Sequence, residues 1–265
     1  MKLLLKVAYD GTSYHGFQYQ PNAVSVQGVL TEYVSKAFGL ECTVTGCSRT
    51  DSGVHAVGFC AAVEPKDDTL KGETWCTVPD SKVHRLLNMH LPNDIAVVGC
   101  VRVSDDFHPR YGAVSKEYVY KMTDSVSPDP FMHNRAYHLK RRLTDDQIEL
   151  MNDTAKILIG KHDFSGFMAQ GSSVKDTVRT IMSLKVERTA NYNVELTVSG
   201  DGFLYNMVRI ITGTLLDVAW GRLSKDDVRR ALVNCDRSSA GFTAPAHGLY
   251  LNEVKYGENF EFYAD

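Results

Sequence analysis

The stretch Thr45-Gly-Cys-Ser-Arg-Thr-Asp-Ser-Gly-Val-His-Ala-Val57 places one carboxylate, Asp51, two residues after a guanidinium, Arg49. Two glycines, Gly46 and Gly53, bracket this polar turn. Glycine serves where the backbone takes φ > 0 or comes close to a partner. Apolar, β-type residues flank the turn, Cys42 to Val44 before it and Val57 to Val63 after it. Asp51 is therefore predicted on a loop between two strands, the usual way for a rigid scaffold to present a reactive group. The plainer reading is a turn-former whose carboxylate bonds its own backbone.

Three other groups of residues could take part in chemistry or binding. Arg209 lies in a run, Gly202 to Trp220, that is apolar nearly all round and reads as a buried helix. A buried guanidinium is costly without a carboxylate, so an acid elsewhere in the chain is expected to meet it. His133, Arg135, His138, Lys140, Arg141 and Arg142 form the densest basic cluster. They read either as a solvated edge strand or as a face for phosphates. The segment Thr12 to Pro21 holds three aromatics, Tyr14, Phe17 and Tyr19, which either cap the core or offer a stacking surface for bases.

The elements that must position these residues follow from periodicity. Leu3 to Tyr9 reads as a buried strand. Ser25 is an N-cap, Val26, Val29, Leu30, Tyr33, Val34 and Ala37 recur at helical spacing, and Gly39 ends the helix. A second helix is predicted from Pro79 to His90 and a strand over Ile95–Val103. Strand, helix, strand, strand, helix, strand is the split βαβ pattern of a ferredoxin-like or RRM-like unit. A boundary near Ser104 then divides the chain into 1–104, carrying the Asp51 loop, and 105–265. In the second part Val114–Met122 alternates as a strand with Tyr118 and Tyr120 on one face. Arg135–Leu139 reads as a strand, and Thr144 with Gln147 is a capping box for a helix to Ile159. Lys161 to Ser173 reads as loop, and 179–188 with 193–199 as a hairpin. Ser224 caps a last helix, and Gly241 to Leu251 leads into a final strand. The halves share an order of elements without a sequence repeat, so the expected class is α+β.

The 265 residues suffice for one large or two smaller domains. No apolar run approaches the ~18 residues of a membrane span. Met1 to Val7 is too short for a signal-peptide core, so a cytoplasmic location is expected. The net charge of −3 leaves room for nucleic acid only through a local basic stripe. The six cysteines form no C-x-x-C pair and have no histidine at zinc-like spacing. Buried reduced thiols are expected, with neither zinc nor a disulfide framework.

Ser48-Arg-Thr-Asp-Ser-Gly-Val-His-Ala56 resembles the motif of the tRNA pseudouridine synthase A (TruA) family. Other segments follow in the family's order: Tyr9-Asp-Gly-Thr12 with Tyr14, Gly16-Phe-Gln18, Val26-Gln-Gly28, Phe107-His108 with Arg110, and Lys116-Glu-Tyr-Val-Tyr120. His162-Asp-Phe-Ser165, Phe203, Met207-Val-Arg209 with Gly213, and Ala244-Pro-Ala246 with Gly248-Leu-Tyr-Leu251 complete the likeness, which spans essentially the whole chain. Cys47-Ser48 and Ser52 depart from it, standing where the family more often has Ala-Gly and Ala. These departures bear on substrate preference rather than on the chemistry.

The resemblance implies a pseudouridine synthase fold: two ferredoxin-like halves with mostly antiparallel sheets flanked by helices, and a central active-site cleft. It implies isomerisation of uridine to pseudouridine in the anticodon arm of tRNA, at positions 38 to 40, by a homodimer with one tRNA lying across both subunits. No cofactor and no metal are implied, because the reaction is neither a redox change nor a net group transfer. Asp51 becomes the catalytic carboxylate, as nucleophile at C1′ or base at C2′, and Arg209 its ion-pair partner. Arg49 would brace the space left by the flipped base, Tyr118 would stack on the uracil and help move the C5 proton, and Leu249 would wall the pocket. Arg110, Lys116, Arg135, Lys140, Arg141 and Arg142 are candidates for tRNA backbone contacts, and His55 is read as structural. The competing readings are an RNA-binding module without catalysis, a hydrolase that leaves an abasic site, and a pseudouridine synthase with another RNA target.

Overall fold

The computed structural model describes residues 1–70, 75–171 and 174–263. The ends of two predicted loops, at 71–72 and 172–173, lie outside them. The chain forms two compact units, Met1–Val114 with Leu251–Asp265, and Ser115–Tyr250.

In the first unit β1 (Lys2–Tyr9) is followed by α1 (Val26–Phe38), β2 (Cys42–Gly46), β3 (His55–Pro65), α2 (Asp80–Asn88) and β4 (Ile95–Val103). This is the predicted split βαβ order. The strands lie β4-β1-β3, with β2 also on β3, and every one of these pairings is antiparallel. Leu3, Leu4 and Leu5 are all buried, as a central strand covered on both faces requires. Ser25 Oγ accepts from Gly28 N at 3.2 Å, and Gly39, at φ 68°, closes α1 in the left-handed conformation. α2 stops at Asn88, two residues before the predicted end. Backbone bonds from Met89 N to Arg85 O and from Leu91 N to Leu87 O continue as a turn beyond it, and the Asn88 side-chain amide ties the helix end to β4 through the N–H and the C=O of Val97 at 2.8 and 2.9 Å.

The second unit runs β5 (Ala113–Thr123), β6 (Tyr137–His138), α3 (Asp145–Ala155), β7 (Gly160–Asp163), β8 (Val178–Ala190), β9 (Asn193–Gly200), α4 (Met207–Ala219) and α5 (Lys225–Val233). The strand order is β5-β9-β8-β7, so β5, β9 and β8 repeat the arrangement of β1, β3 and β2. The Thr144–Gln147 capping box is present. Four expectations are corrected here. Of the predicted Arg135–Leu139 strand only two residues pair, parallel to β5. α3 gives way after Ala155 to a 3₁₀ turn, Lys156–Leu158. The first residues of the predicted 161–173 loop pair with β8 as β7. α4 starts at Met207 rather than Gly202, because Asn206 takes φ 59° and breaks the helical run before it.

The last strand, β10 (Leu249–Tyr256), carries the chain back to the first unit and neighbours β3 there. A Cβ on Gly58 of β3 would stand 2.3 Å from the carbonyl oxygen of Asn252. That return is why the compact units are not the two contiguous segments divided at residue 104.

Candidate active site

The Asp51 loop joins β2 to β3, as predicted. It is held from below by the segment after β1. Gly16, at φ 83°, comes so close that a Cβ would lie 2.5 Å from the Thr50 carbonyl oxygen, and Phe17 N donates to that oxygen at 3.1 Å. Tyr9 OH and Thr50 Oγ1 are 2.8 Å apart. Gly53, at φ 76°, donates to Tyr14 O at 3.3 Å, and Val54 N donates to Asp51 O at 3.1 Å. Asp51 is half-buried and Arg49 exposed.

His55 is fully buried beneath the loop. Its Nδ1 lies 3.0 Å from Gly11 N, which donates to it, and 3.2 Å from Asp10 Oδ1. The ring thus joins the turn after β1 to the start of β3, in keeping with a structural role. The aromatic segment divides. Phe17 stacks on Phe59, centroids 4.2 Å apart, and Tyr14 donates to Asp94 Oδ1 at 2.7 Å. Burial, with Asp94 beside it, drives the Tyr14 hydroxyl pKa well above its ordinary value. Only Tyr19 is exposed, at 62 %. Two of the three aromatics therefore cap the core.

The other expected residues belong to the second unit. Tyr118 is buried on β5 and meets Phe203 edge-on, centroids 5.2 Å apart. Arg209 is the one residue of α4 that is not buried; it is half-exposed in the first turn, which corrects the fully buried guanidinium expected from sequence. Its Nε donates to Ala244 O at 2.7 Å and its Nη1 to Asn206 Oδ1 at 2.6 Å. The segment 241–248 is laid along α4. Ala244 N donates to Arg209 O, Gly241 N donates to Thr214 Oγ1, and a Cβ on Gly213 would overlap Phe242 O at 1.8 Å. The same segment meets β5, where Tyr120 OH donates to Pro245 O at 2.7 Å and a Cβ on Gly248 would lie 2.6 Å from the Tyr120 ring. Leu249, next in the chain, is buried. Burial raises the Tyr120 hydroxyl pKa far above its ordinary value, against the opposing charge of Arg209. One strap of chain therefore fixes Arg209 and Leu249 against the strand that carries Tyr118.

Neither Asn206 nor the carbonyl of Ala244 is assigned a role by the sequence. Asparagine is among the few residues that tolerate a left-handed backbone, but only the structure shows that this one breaks the helix and accepts from the guanidinium. Of the candidate phosphate contacts, Arg110, Arg135, Lys140, Arg141 and Arg142 are exposed, whereas Lys116 is buried on β5. Cys42, Cys47, Cys60, Cys76 and Cys100 are buried, and burial pushes Cys42 and Cys60 up to about 11 and Cys100 to about 12. Cys235, just past α5 at φ 53°, is exposed, contrary to expectation. Among the described residues no cluster of three or more His, Cys, Asp or Glu could hold a metal ion, and no helix is long and apolar enough to cross a membrane.

Residues 6–112 and 154–257 match the family model described as tRNA pseudouridine synthase. The chain is 43% identical over 254 residues to tRNA pseudouridine synthase A of Thermoanaerobacter sp. (strain X514), covering 96% of this chain and 99% of that protein. It is 40% identical to tRNA pseudouridine synthase A of Ruminiclostridium cellulolyticum, over 96% of this chain and 99% of that one. It is 41% identical to tRNA pseudouridine synthase A of Bacillus subtilis (strain 168), over 97% and 99%. With its Arg-Thr-Asp loop and its near full-length likeness to these proteins, the chain belongs to the tRNA pseudouridine synthase A family of isomerases.

Proposed function

We propose that this protein isomerises uridine to pseudouridine in the anticodon arm of tRNA, at positions 38 to 40, with Asp51 as the catalytic carboxylate. The observation that carries the reading is the Asp51 loop, braced by Tyr9, Gly16 and His55 in a chain of this family. The N1–C1′ bond breaks, the uracil turns, C5 bonds to C1′, and the C5 proton leaves. Asp51 acts on the ribose, at C1′ or at the C2′ proton. Arg209 keeps it ionised where desolvation would raise its pKa. At least two of the five guanidinium donors go to the neutral acceptors Ala244 and Asn206, which orient the group without neutralising it.

The uridine is flipped out of its stack, Arg49 braces the vacated space, Tyr118 stacks on the base and Leu249 walls the pocket. Arg110, Arg135, Lys140, Arg141 and Arg142 contact the tRNA backbone; Lys116, buried on β5, is set apart from these exposed residues. The protein works in the cytoplasm as a homodimer, in which two local basic patches serve one tRNA despite the net charge of −3.

The test is tritium release from tRNA labelled at uridine C5, comparing wild type with Asp51→Ala and with tRNA lacking uridine at 38 to 40. Release by the wild type alone, with the mutant still binding tRNA, supports the reading. Release that survives in the mutant removes Asp51 from catalysis. Binding without release, in any RNA, leaves an RNA-binding module, and an abasic product means a hydrolase.

A further inference from the structure

At the far end of α4 from Arg209 an open cavity of about 300 Å³ is lined by Tyr137, Leu139, Arg141, Trp220, Arg222 and Phe242. Trp220 follows Arg209 by eleven residues, roughly 16 Å along a helix at ~1.5 Å per residue. Two guanidiniums share its indole, with Arg141 Cζ 4.9 Å and Arg222 Cζ 4.8 Å from the ring centre. The Phe242 ring is parallel to the indole within 4°, centroids 6.2 Å apart, and Tyr137 meets Phe242 at 67°. The buried Trp220 Nε1 has no hydrogen-bond partner among the described residues. Among the described residues the carboxylate paired with these two guanidiniums is Asp217, 3.2 Å from Arg222 Nη1, so two cations face one anion there. Lys140 and Arg142 flank Arg141 in the chain, and Lys140 takes φ 62° just before it.

A single guanidinium on an indole is an ordinary surface clasp. Two on one indole, beside a second parallel ring and an open cavity, combine flat apolar walls with excess positive charge. That is the chemistry of a base and its phosphate: bases stack on aromatic rings and on guanidinium planes, and phosphates pair with arginine. The walls are also well supported, because Trp220 closes α4 and Phe242 belongs to the strap that Gly213 and Thr214 hold.

We propose that this cavity takes one unpaired nucleotide of the RNA, other than the reacting uridine, with its base against the aromatic walls and its phosphate on Arg141 and Arg222. The inference rests on the reading above, that the chain acts on tRNA.

The chain has two tryptophans, Trp75 and Trp220, so Trp75→Phe leaves Trp220 as the sole indole reporter. Titrating that variant with substrate tRNA is expected to quench its emission saturably, and a single-stranded oligonucleotide should do so more weakly. In the otherwise wild-type chain, Arg141→Ala with Arg222→Ala is expected to raise KM for tRNA about tenfold, the scale of one stacked base, with a smaller change in kcat. Arg141 is exposed, so Arg141→Ala alone keeps the test valid should the double variant fold poorly. Turnover of tRNA with no change in Trp220 emission and an unchanged KM overturns the subsite while leaving the proposed function intact. Quenching by the oligonucleotide without any turnover keeps the subsite and overturns that function. Equal quenching by inorganic phosphate reduces the cavity to an anion site. A shift in sedimentation with unchanged RNA affinity makes it a surface between copies of the chain. Either of these last two results overturns the nucleotide.

Discussion

The Tyr9 hydroxyl, at the end of β1, meets Thr50 Oγ1 at 2.8 Å, with both residues buried. Thr50 precedes Asp51, so this bond links a central strand to the backbone that carries the carboxylate. Tyr9→Phe leaves the Thr50 hydroxyl without this partner. The expected loss is about 1 kcal/mol, or roughly 2–4 °C in Tm for a chain of this size. Thr50→Val should cost a similar amount, and the double variant less than the sum, because it removes both polar groups together. Thermal unfolding of the three variants checks this. Fully additive losses would mean that the bond contributes nothing as a pair.

The parts of the fold set by local chemistry were legible in the sequence. Ser25 and Gly39 bound α1, Thr144 and Gln147 start α3, and the Asp51 loop lies between its two strands, because caps, periodicity and glycine are short-range signals. What could not be read depends on partners far along the chain. Arg209 is oriented by the carbonyl of Ala244, 35 residues later. The return of β10 to β3 leaves no mark in composition. Tyr14, Phe17 and Tyr19 look alike in sequence, yet tertiary packing buries two and exposes one.

Asn206 offers a separate test of the Arg209 geometry. Its left-handed backbone breaks the chain before α4, and its side chain accepts from Arg209 Nη1. Asn206→Gly keeps that backbone at little cost, since glycine adopts φ > 0 freely, but removes the acceptor. Tm is expected to stay close to wild type while kcat falls about tenfold, the scale of one hydrogen bond to a charged group. Single-turnover tritium release measures this step. An unchanged rate would show that the Asn206 acceptor is not needed to hold the guanidinium.

Gly213 is where α4 meets the 241–244 strap. An added Cβ would overlap the Phe242 carbonyl oxygen at 1.8 Å and its carbon at 2.8 Å, and neither backbone atom can swing aside. Alanine favours the helix by about 1 kcal/mol, but displacing the strap costs about 1–3 kcal/mol and disturbs Ala244 as well. Gly213→Ala is expected to lower both Tm and kcat. Gly221→Ala, just past α4, is the control: among the described residues nothing lies within 4 Å of its Cβ, so only its φ of 70° is strained. A larger stability loss at Gly221 than at Gly213 would contradict the account of the strap.

Asp163, the last residue of β7, links stability to pH. A hydrogen bond from Thr177, with another from Ser165 N at 2.9 Å, holds its carboxyl below the usual carboxylate range. The turn it closes places Phe164 and Phe167 in the core and sets Gly166 against α5, where a Cβ would stand 2.0 Å from Ala231 O. A carboxyl whose folded pKa is depressed stabilises the fold above its unfolded pKa of about 3.9, and the contribution is lost as pH falls through the folded value. Asp163→Asn should therefore unfold at a lower temperature than wild type at pH 7. The difference should hold down to about pH 4 and shrink below it, as the wild-type carboxyl protonates. Thermal unfolding of both proteins from pH 7 to pH 2.5 gives the comparison. A gap that stays constant across that range would assign the loss to the shape of the side chain rather than to its charge.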